Sequence, residues 1–225
     1  MYRPIAWTPD QRWPVIIYMH GGGERGTDGV KQTQTGLGPA VWKSNGTFPF
    51  VVAFPQTDRP WPMPDAETRL LEIVTEVVRD NAGDPDRVYL TGNSMGGFGT
   101  WIIGARHPER FAALVPICGG VRPPKWVPVP PESFARQPDP EGAVARALVA
   151  TPVWAFQGAK DWVLSPTNSR RLVAALRAAG DDVHYTEYPD LGHNSWDRAY
   201  ADPALYAWML AQTRGARAAT GGAHE

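Results

Sequence analysis

Gly92-Asn93-Ser94-Met95-Gly96 sets a serine between two glycines, each two positions away. The apolar run Val88-Tyr89-Leu90-Thr91 leads into it, and a stretch with helical character from Met95 to Arg106 leads out. This G-x-S-x-G arrangement suits a sharp strand-to-helix turn that lifts a hydroxyl clear of the backbone. Glycine at the flanking positions permits the strained turn and the close approach of neighbouring chain. The chemistry such a serine offers is nucleophilic attack on an acyl carbon. The bland alternative is a buried serine in a tight turn.

A serine hydroxyl is a weak nucleophile until a base takes its proton. Five histidines are available. His20 opens a glycine loop, His107 precedes a proline at a helix end, His184 lies within an expected strand, and His224 is in the tail. His193, in Leu191-Gly192-His193-Asn194, sits in a loop after the last expected strand, where functional side chains concentrate. The base needs an acceptor that fixes its tautomer. Asp161, in Gln157-Gly158-Ala159-Lys160-Asp161, follows the fifth expected strand and so stands at the same sheet end as Ser94. Asp190 and Asp197 are rivals, but they are close in sequence to His193 and suit local turn or cap roles. Acyl transfer also needs donors for a developing oxyanion. The Met95 amide is one candidate. Gly22, then Gly23, in the His20-Gly21-Gly22-Gly23 loop are the others, because no Cβ there stands between backbone and substrate.

Other chemistries fit less well. Gly21 to Gly26 matches G-x-G-x-x-G after a strand, but a dinucleotide fingerprint wants a helix at once and an acid about 20 positions on. Thr33 to Gly38 is polar and glycine-broken, and residues 41–50 contain no acid. Glu24 and Arg25 read instead as a local ion pair. No histidine pair has helix-face spacing and a single cysteine, Cys118, cannot build a thiolate site, so neither a metal nor another cofactor is expected. Cys118 reads as a small buried residue. Trp61, Trp126, Trp162 and Trp196 fall in expected loops. Trp162, Trp196 and Trp61 are candidate walls of a substrate pocket.

These residues need a scaffold. Apolar runs at 15–19, 50–54, 88–91, 112–117, 153–156 and 183–188 each end at glycine or proline, as strands buried on both faces do. Helical patterns at 65–80, 95–106, 166–179 and 204–212 lie between or after them. The alternation implies a mostly parallel sheet covered on both faces, within a single domain spanning 1–215. Residues 121–147 are proline-rich and read as an irregular excursion, a lid or pocket wall, at the carboxyl end of the fourth strand. Residues 216–225 read as a disordered tail.

The formal net charge of -1 gives no electrostatic footprint for nucleic acid or an anionic membrane. No run approaches the roughly 20 apolar residues of a membrane span. The first residues lack a signal peptide's pattern. The expectation is a cytoplasmic protein, or a secreted or periplasmic one if a leader has been removed.

Taken together, His20-Gly-Gly-Gly-Glu-Arg-Gly, Thr91-Gly-Asn-Ser-Met-Gly-Gly-Phe-Gly-Thr-Trp, Pro116-Ile-Cys-Gly-Gly, the Gly158–Asp161 turn and Gly192-His-Asn-Ser-Trp resemble the α/β-hydrolase group labelled predicted peptidases. That group is related to feruloyl and acetyl-xylan esterases, polyhydroxybutyrate depolymerases and dienelactone hydrolases. The resemblance implies an α/β-hydrolase fold, a triad of Ser94, Asp161 and His193, and an oxyanion hole at Met95 and the glycine loop. It favours hydrolysis of carboxylic esters, small or linked to a polysaccharide. A peptidase or amidase on the same triad and a non-catalytic binding module are the alternatives. Two departures stand out. Relatives often carry histidine where Gln157 stands, a difference read as one of packing. They also carry further antiparallel strands ahead of the first one here, so the sheet reads as trimmed at its N-terminal edge, an edge through which a homodimer could form.

Overall fold

The computed structural model describes residues 1–124, 127 and 129–215. Trp126 and the tail from 216 onward, with His224, lie outside the described residues. Six strands form one sheet: β1 (Trp13–Met19), β2 (Val51–Ala53), β3 (Gly83–Asn93), β4 (Ala113–Ile117), β5 (Trp154–Gly158) and β6 (His184–Tyr188). Their spatial order is β2-β1-β3-β4-β5-β6 and every pairing is parallel. Among the described residues seven α-helices surround it: α1 (Leu37–Lys43), α2 (Pro64–Asp80), α3 (Met95–Arg106), α4 (Pro140–Leu148), α5 (Thr167–Ala178), α6 (Trp196–Ala201) and α7 (Pro203–Leu210).

The strand side chains sort by period two into two cores. Val15, Ile17 and Met19 of β1 pack with Leu70 and Val74 of α2, Trp101 of α3 and Leu172 of α5. Ile16 and Tyr18 face the other way, toward Val41 of α1 and Tyr200, Leu205 and Met209 of α6 and α7. Because both faces are covered, the inner strands read as apolar runs, whereas the edge strand β6, His-Tyr-Thr-Glu-Tyr, is only partly buried. α3 lies over the middle of the sheet and is buried from Gly96 to Ala105, so it is apolar all round and not amphipathic.

Chain order and spatial order part company once. The chain steps from β1 outward to β2, returns past β1 to β3, and continues to β6 on the other side. The loops leaving β1 and β3 therefore diverge at their carboxyl ends, and the crevice between them is where open parallel sheets place ligands.

Three local expectations need correction. The proline-rich stretch is not irregular throughout. Pro140 opens α4 at a first-turn position, where no amide hydrogen is needed, and Asp139 caps it by accepting from the Gly142 amide at 3.0 Å. Trp196 lies at the start of α6, not in a loop, and α1 begins inside the glycine-broken segment, at Leu37. At the outer edge, Tyr2 pairs antiparallel with Val52 of β2, their amides and carbonyls exchanging bonds of 2.8 and 3.0 Å. That edge strand thus carries a cover along part of its length. No helix among the described residues is long and apolar enough to cross a membrane.

Candidate active site

Ser94 stands between β3 and α3 with φ 56° and ψ -114°, a conformation that costs a non-glycine residue on the order of 1–3 kcal/mol. The fold enforces it from both sides. The Ser94 amide donates to the Ile117 carbonyl of β4 at 3.0 Å, and its carbonyl accepts the first α3 bond from Phe98 at 3.0 Å. Gly96 is required for the same turn: a Cβ there would lie 2.0 Å from the Met19 carbonyl oxygen of β1. Strain at Ser94 and close packing at Gly96 together push the hydroxyl out of the turn.

The other two elements of the site are stitched to each other. The Ala159 and Lys160 amides, just after β5, donate to the Tyr188 and Leu191 carbonyls after β6, both at 2.9 Å. Gly158 allows this approach, since a Cβ at that position would sit 2.0 Å from the Gly192 carbonyl oxygen. As a result Asp161 and His193, 32 residues apart, meet. The His193 Nδ1 lies 2.8 Å from Asp161 Oδ2, and its Nε2 lies 3.0 Å from Ser94 Oγ. Trp196 packs edge-on against the imidazole, ring centroids 5.3 Å apart at 89°.

Asp161 is buried and fully bonded. Its Oδ1 accepts from the Val163 and Leu164 amides, each at 2.9 Å, and its Oδ2 accepts from Gln157 Nε2 at 2.9 Å as well as facing His193. Burial pushes its carboxyl up, but the bonds from His193 and the two amides outweigh it and hold it below the usual carboxylate value. Asp161 is therefore an anion aimed at Nδ1, which leaves Nε2 facing the serine as an acceptor. The rival acids are engaged elsewhere: Asp190 pairs with Arg198 at 2.7 Å, and Asp197 accepts from Asn194 at 2.8 Å.

Gln157 is a functional neighbour that sequence reasoning missed. It is fully buried, and besides donating to Asp161 it accepts from Ser169 Oγ at 2.9 Å. Its departure from the relatives' histidine thus touches hydrogen bonding to the acid, not packing alone. The signal was a polar residue closing an otherwise apolar strand, four positions before an aspartate.

Around the serine lies a cavity of about 330 Å³. Gly22 and Met95 line it beside Ser94, while Gly23 is not among its lining residues. At the N-terminus of α3 the Met95 amide has no helical acceptor and points its partial positive charge outward. The cavity is lined by Pro62, Met63, Phe98 and Ile102 and by Pro123, Pro124, Val127, Val129 and Pro130. The proline-rich segment thus shares the lining with Phe98 and Ile102 of α3. The tryptophans expected in the pocket lie elsewhere. Trp61 is 2% exposed and donates to the His20 carbonyl at 2.9 Å beneath the loop. Trp162 is 88% exposed to solvent, and Trp196 buttresses His193.

His20 has a structural role: its Nε2 accepts from the Thr57 amide at 3.1 Å, so Nδ1, 2.7 Å from the Gly21 carbonyl, carries the proton. Burial lowers its basicity. Glu24 and Arg25 form no ion pair with each other; Arg25 Nε instead donates to the Gly22 carbonyl at 3.0 Å. Cys118 lies under the triad, and its sulfur, an Asp161 oxygen and a His193 nitrogen fall within 4.8 Å of one another, close enough to share a cation. Burial pushes the thiol well up, so it stays protonated, and the other two donors already face each other.

A model of the α/β-hydrolase fold family matches residues 14–208. Among curated proteins, poly(3-hydroxyalkanoate) depolymerase C of Paucimonas lemoignei is 29% identical over 48% of this chain and 28% of its own length. Dipeptidyl aminopeptidase BIII of Pseudoxanthomonas mexicana is 26% identical over 91% of this chain and 34% of its own. The chain thus spans about a third of the length of the curated relatives it matches. Among solved structures, a thermostable esterase superimposes with a TM-score of 0.77 at 29% identity, covering 94% of this chain and 58% of that one. The chain belongs to the α/β-hydrolase family, with esterases and peptidases among its neighbours.

Proposed function

We propose that this α/β hydrolase is a serine carboxylesterase. The observation that carries the reading is the unbroken relay from Asp161 through His193 to a strained serine opening on an apolar cavity. Ser94 Oγ attacks the acyl carbon as His193 Nε2 takes its proton, and Asp161 stabilises the imidazolium. The Met95 and Gly22 amides hold the oxyanion. The imidazolium returns the proton to the departing alcohol. Water, deprotonated by the same nitrogen, then hydrolyses the acyl-enzyme and restores the serine. No step needs a cofactor.

The likeness to an esterase and a depolymerase supports an ester substrate. The likeness to a dipeptidyl aminopeptidase supports a second reading, amide hydrolysis on the same residues. Fluorophosphonate labelling mapped by mass spectrometry tests the nucleophile: label is expected at Ser94 and absent from Ser94→Ala. Matched ester and amide substrates then separate the readings. Faster turnover of the amide would replace the esterase reading with the peptidase one, and a well-folded chain that takes no label would set both aside.

A further inference from the structure

We infer that Arg25 is an anion-binding subsite of the cavity, so that the preferred ester carries a carboxylate. This rests on the esterase reading above and names its substrate class. The cavity walls are almost wholly hydrocarbon, and among the described residues that line it Arg25 alone is charged. Among the described residues no ion pair neutralises that charge, and Arg25 is exposed, so water solvates it in the free protein. Its one hydrogen bond, from Nε to the Gly22 carbonyl, fixes the guanidinium beside the loop that flanks Ser94. The two terminal amino groups remain without a partner among the described residues.

An apolar acyl chain entering this cavity strips water from whatever lines it. The exposed Arg25 loses part of its solvent in this way, a partial penalty, whereas a carboxylate presented to the guanidinium replaces the lost water with two parallel charge-assisted bonds. A fixed Nε leaves the fork ready oriented, which reduces the ordering lost on binding. The substrate chemistry that satisfies apolar walls and a lone cation together is a hydrocarbon ester with one free carboxylate, such as the hemi-ester of a saturated dicarboxylic acid. The plainer role, bracing the Gly22 loop, predicts no discrimination between charged and neutral esters.

The test compares monomethyl hemi-esters of saturated dicarboxylic acids, in a series of rising chain length, with their dimethyl diesters. In the intact enzyme kcat/KM should favour the hemi-ester by about tenfold at the best length, with the advantage carried by KM and shrinking as salt rises. Arg25→Gln should lower the hemi-ester to diester ratio by about tenfold, and Arg25→Lys, which keeps charge but not the fork, should lower it less. Calorimetry of Ser94→Ala with the free dicarboxylic acid separates binding from turnover: heat of binding is expected, and is lost when Arg25→Gln is added. Binding that survives Arg25→Gln, or a ratio unchanged by it while diesters are hydrolysed, would overturn the subsite. Binding that needs Arg25 in a protein that hydrolyses no ester would keep the subsite and remove the esterase reading instead.

Discussion

The relay and the wall across from it share one end of the sheet but are built differently. In the relay every polar atom is directed. Asp161 alone takes bonds from two backbone amides, Gln157 and His193, and the loops that carry the acid and the base are bonded backbone to backbone. The wall is shaped by prolines and held by turns, Val127 amide to Pro124 carbonyl at 2.9 Å and Ser133 amide to Pro130 carbonyl at 3.1 Å. It is tethered from outside: Arg136 donates to the Val129 carbonyl, and Arg122 makes two bonds to Glu141 of α4 at 2.7 and 2.8 Å. Directional bonds fix reacting atoms to fractions of an ångström, which chemistry requires. Apolar contact tolerates reshaping, which allows a binding surface to change without disturbing the chemistry.

If that contrast holds, substitutions in the relay should act on kcat and those in the wall on KM. Ser94→Ala should lower kcat by at least about 10⁴-fold, measured by ester turnover with the fold checked by circular dichroism. Asp161→Asn, which leaves the shape but allows the wrong imidazole tautomer, should lower kcat by on the order of 10³ to 10⁴-fold with KM little changed. A drop confined to KM would show that Asp161 does not orient the base.

Gln157→Leu strips one donor from Asp161 and leaves the Ser169 hydroxyl only its long 3.4 Å bond to the Gly119 carbonyl. An unsatisfied buried group costs about 1–3 kcal/mol, so thermal melting should fall, and kcat should drop roughly tenfold through the loosened acid. Gln157→His, able to donate to the same oxygen, should recover part of the loss of kcat. Equal kcat values for the two variants would mean Gln157 only fills space. On the wall, Val129→Phe should narrow the cavity and reduce kcat/KM for long acyl chains by about tenfold, with short ones affected less. A uniform fall across chain lengths would mean that the wall supports the relay, and the contrast would fail.

The smallest effect concerns pH. The Asp161 carboxyl titrates lower folded than unfolded. Its charge therefore contributes stability that is present above the ordinary aspartate value, about 3.9, and is lost as pH falls through the lower folded value. The melting temperature of the native chain should exceed that of Asp161→Asn most at neutral pH, and the gap should close in acid. A gap that is constant from neutral pH into strong acid would show that the carboxylate's charge contributes nothing.

How much could be read beforehand followed from how local each feature is. β1 to β5 were legible because burial on both faces leaves a continuous apolar run, β6, a partly exposed edge strand, because Pro189 bounds it, and α2, α3 and α5 because their lengths and patterns stand out. α1, α4 and α6, of 7, 9 and 6 residues, were not, since helices so short draw their stability from the packing around them; α7, of 8 residues, was legible through its apolar composition and not its length. The turn at Ser94 was legible for a similar reason: strand, glycines and helix are contiguous in the chain, although the Ile117 and Met19 carbonyls of neighbouring strands hold it in place.

Which polar atoms meet across the sheet was a different matter. The residue types and their order along the chain, serine, then aspartate, then histidine, belonged to the sequence. That Gln157 bonds to Asp161, that Cys118 lies beneath the triad, that Trp61 is buried under the loop while Trp162 points to water, and that Arg25 alone among the described lining residues brings a charge to an apolar cavity were decided only by tertiary structure. The reason is geometric. A side chain's direction follows from its own backbone turn, but its neighbours follow from strand order and from loops leaving different strands, and those place residues far apart in sequence within a hydrogen bond of one another.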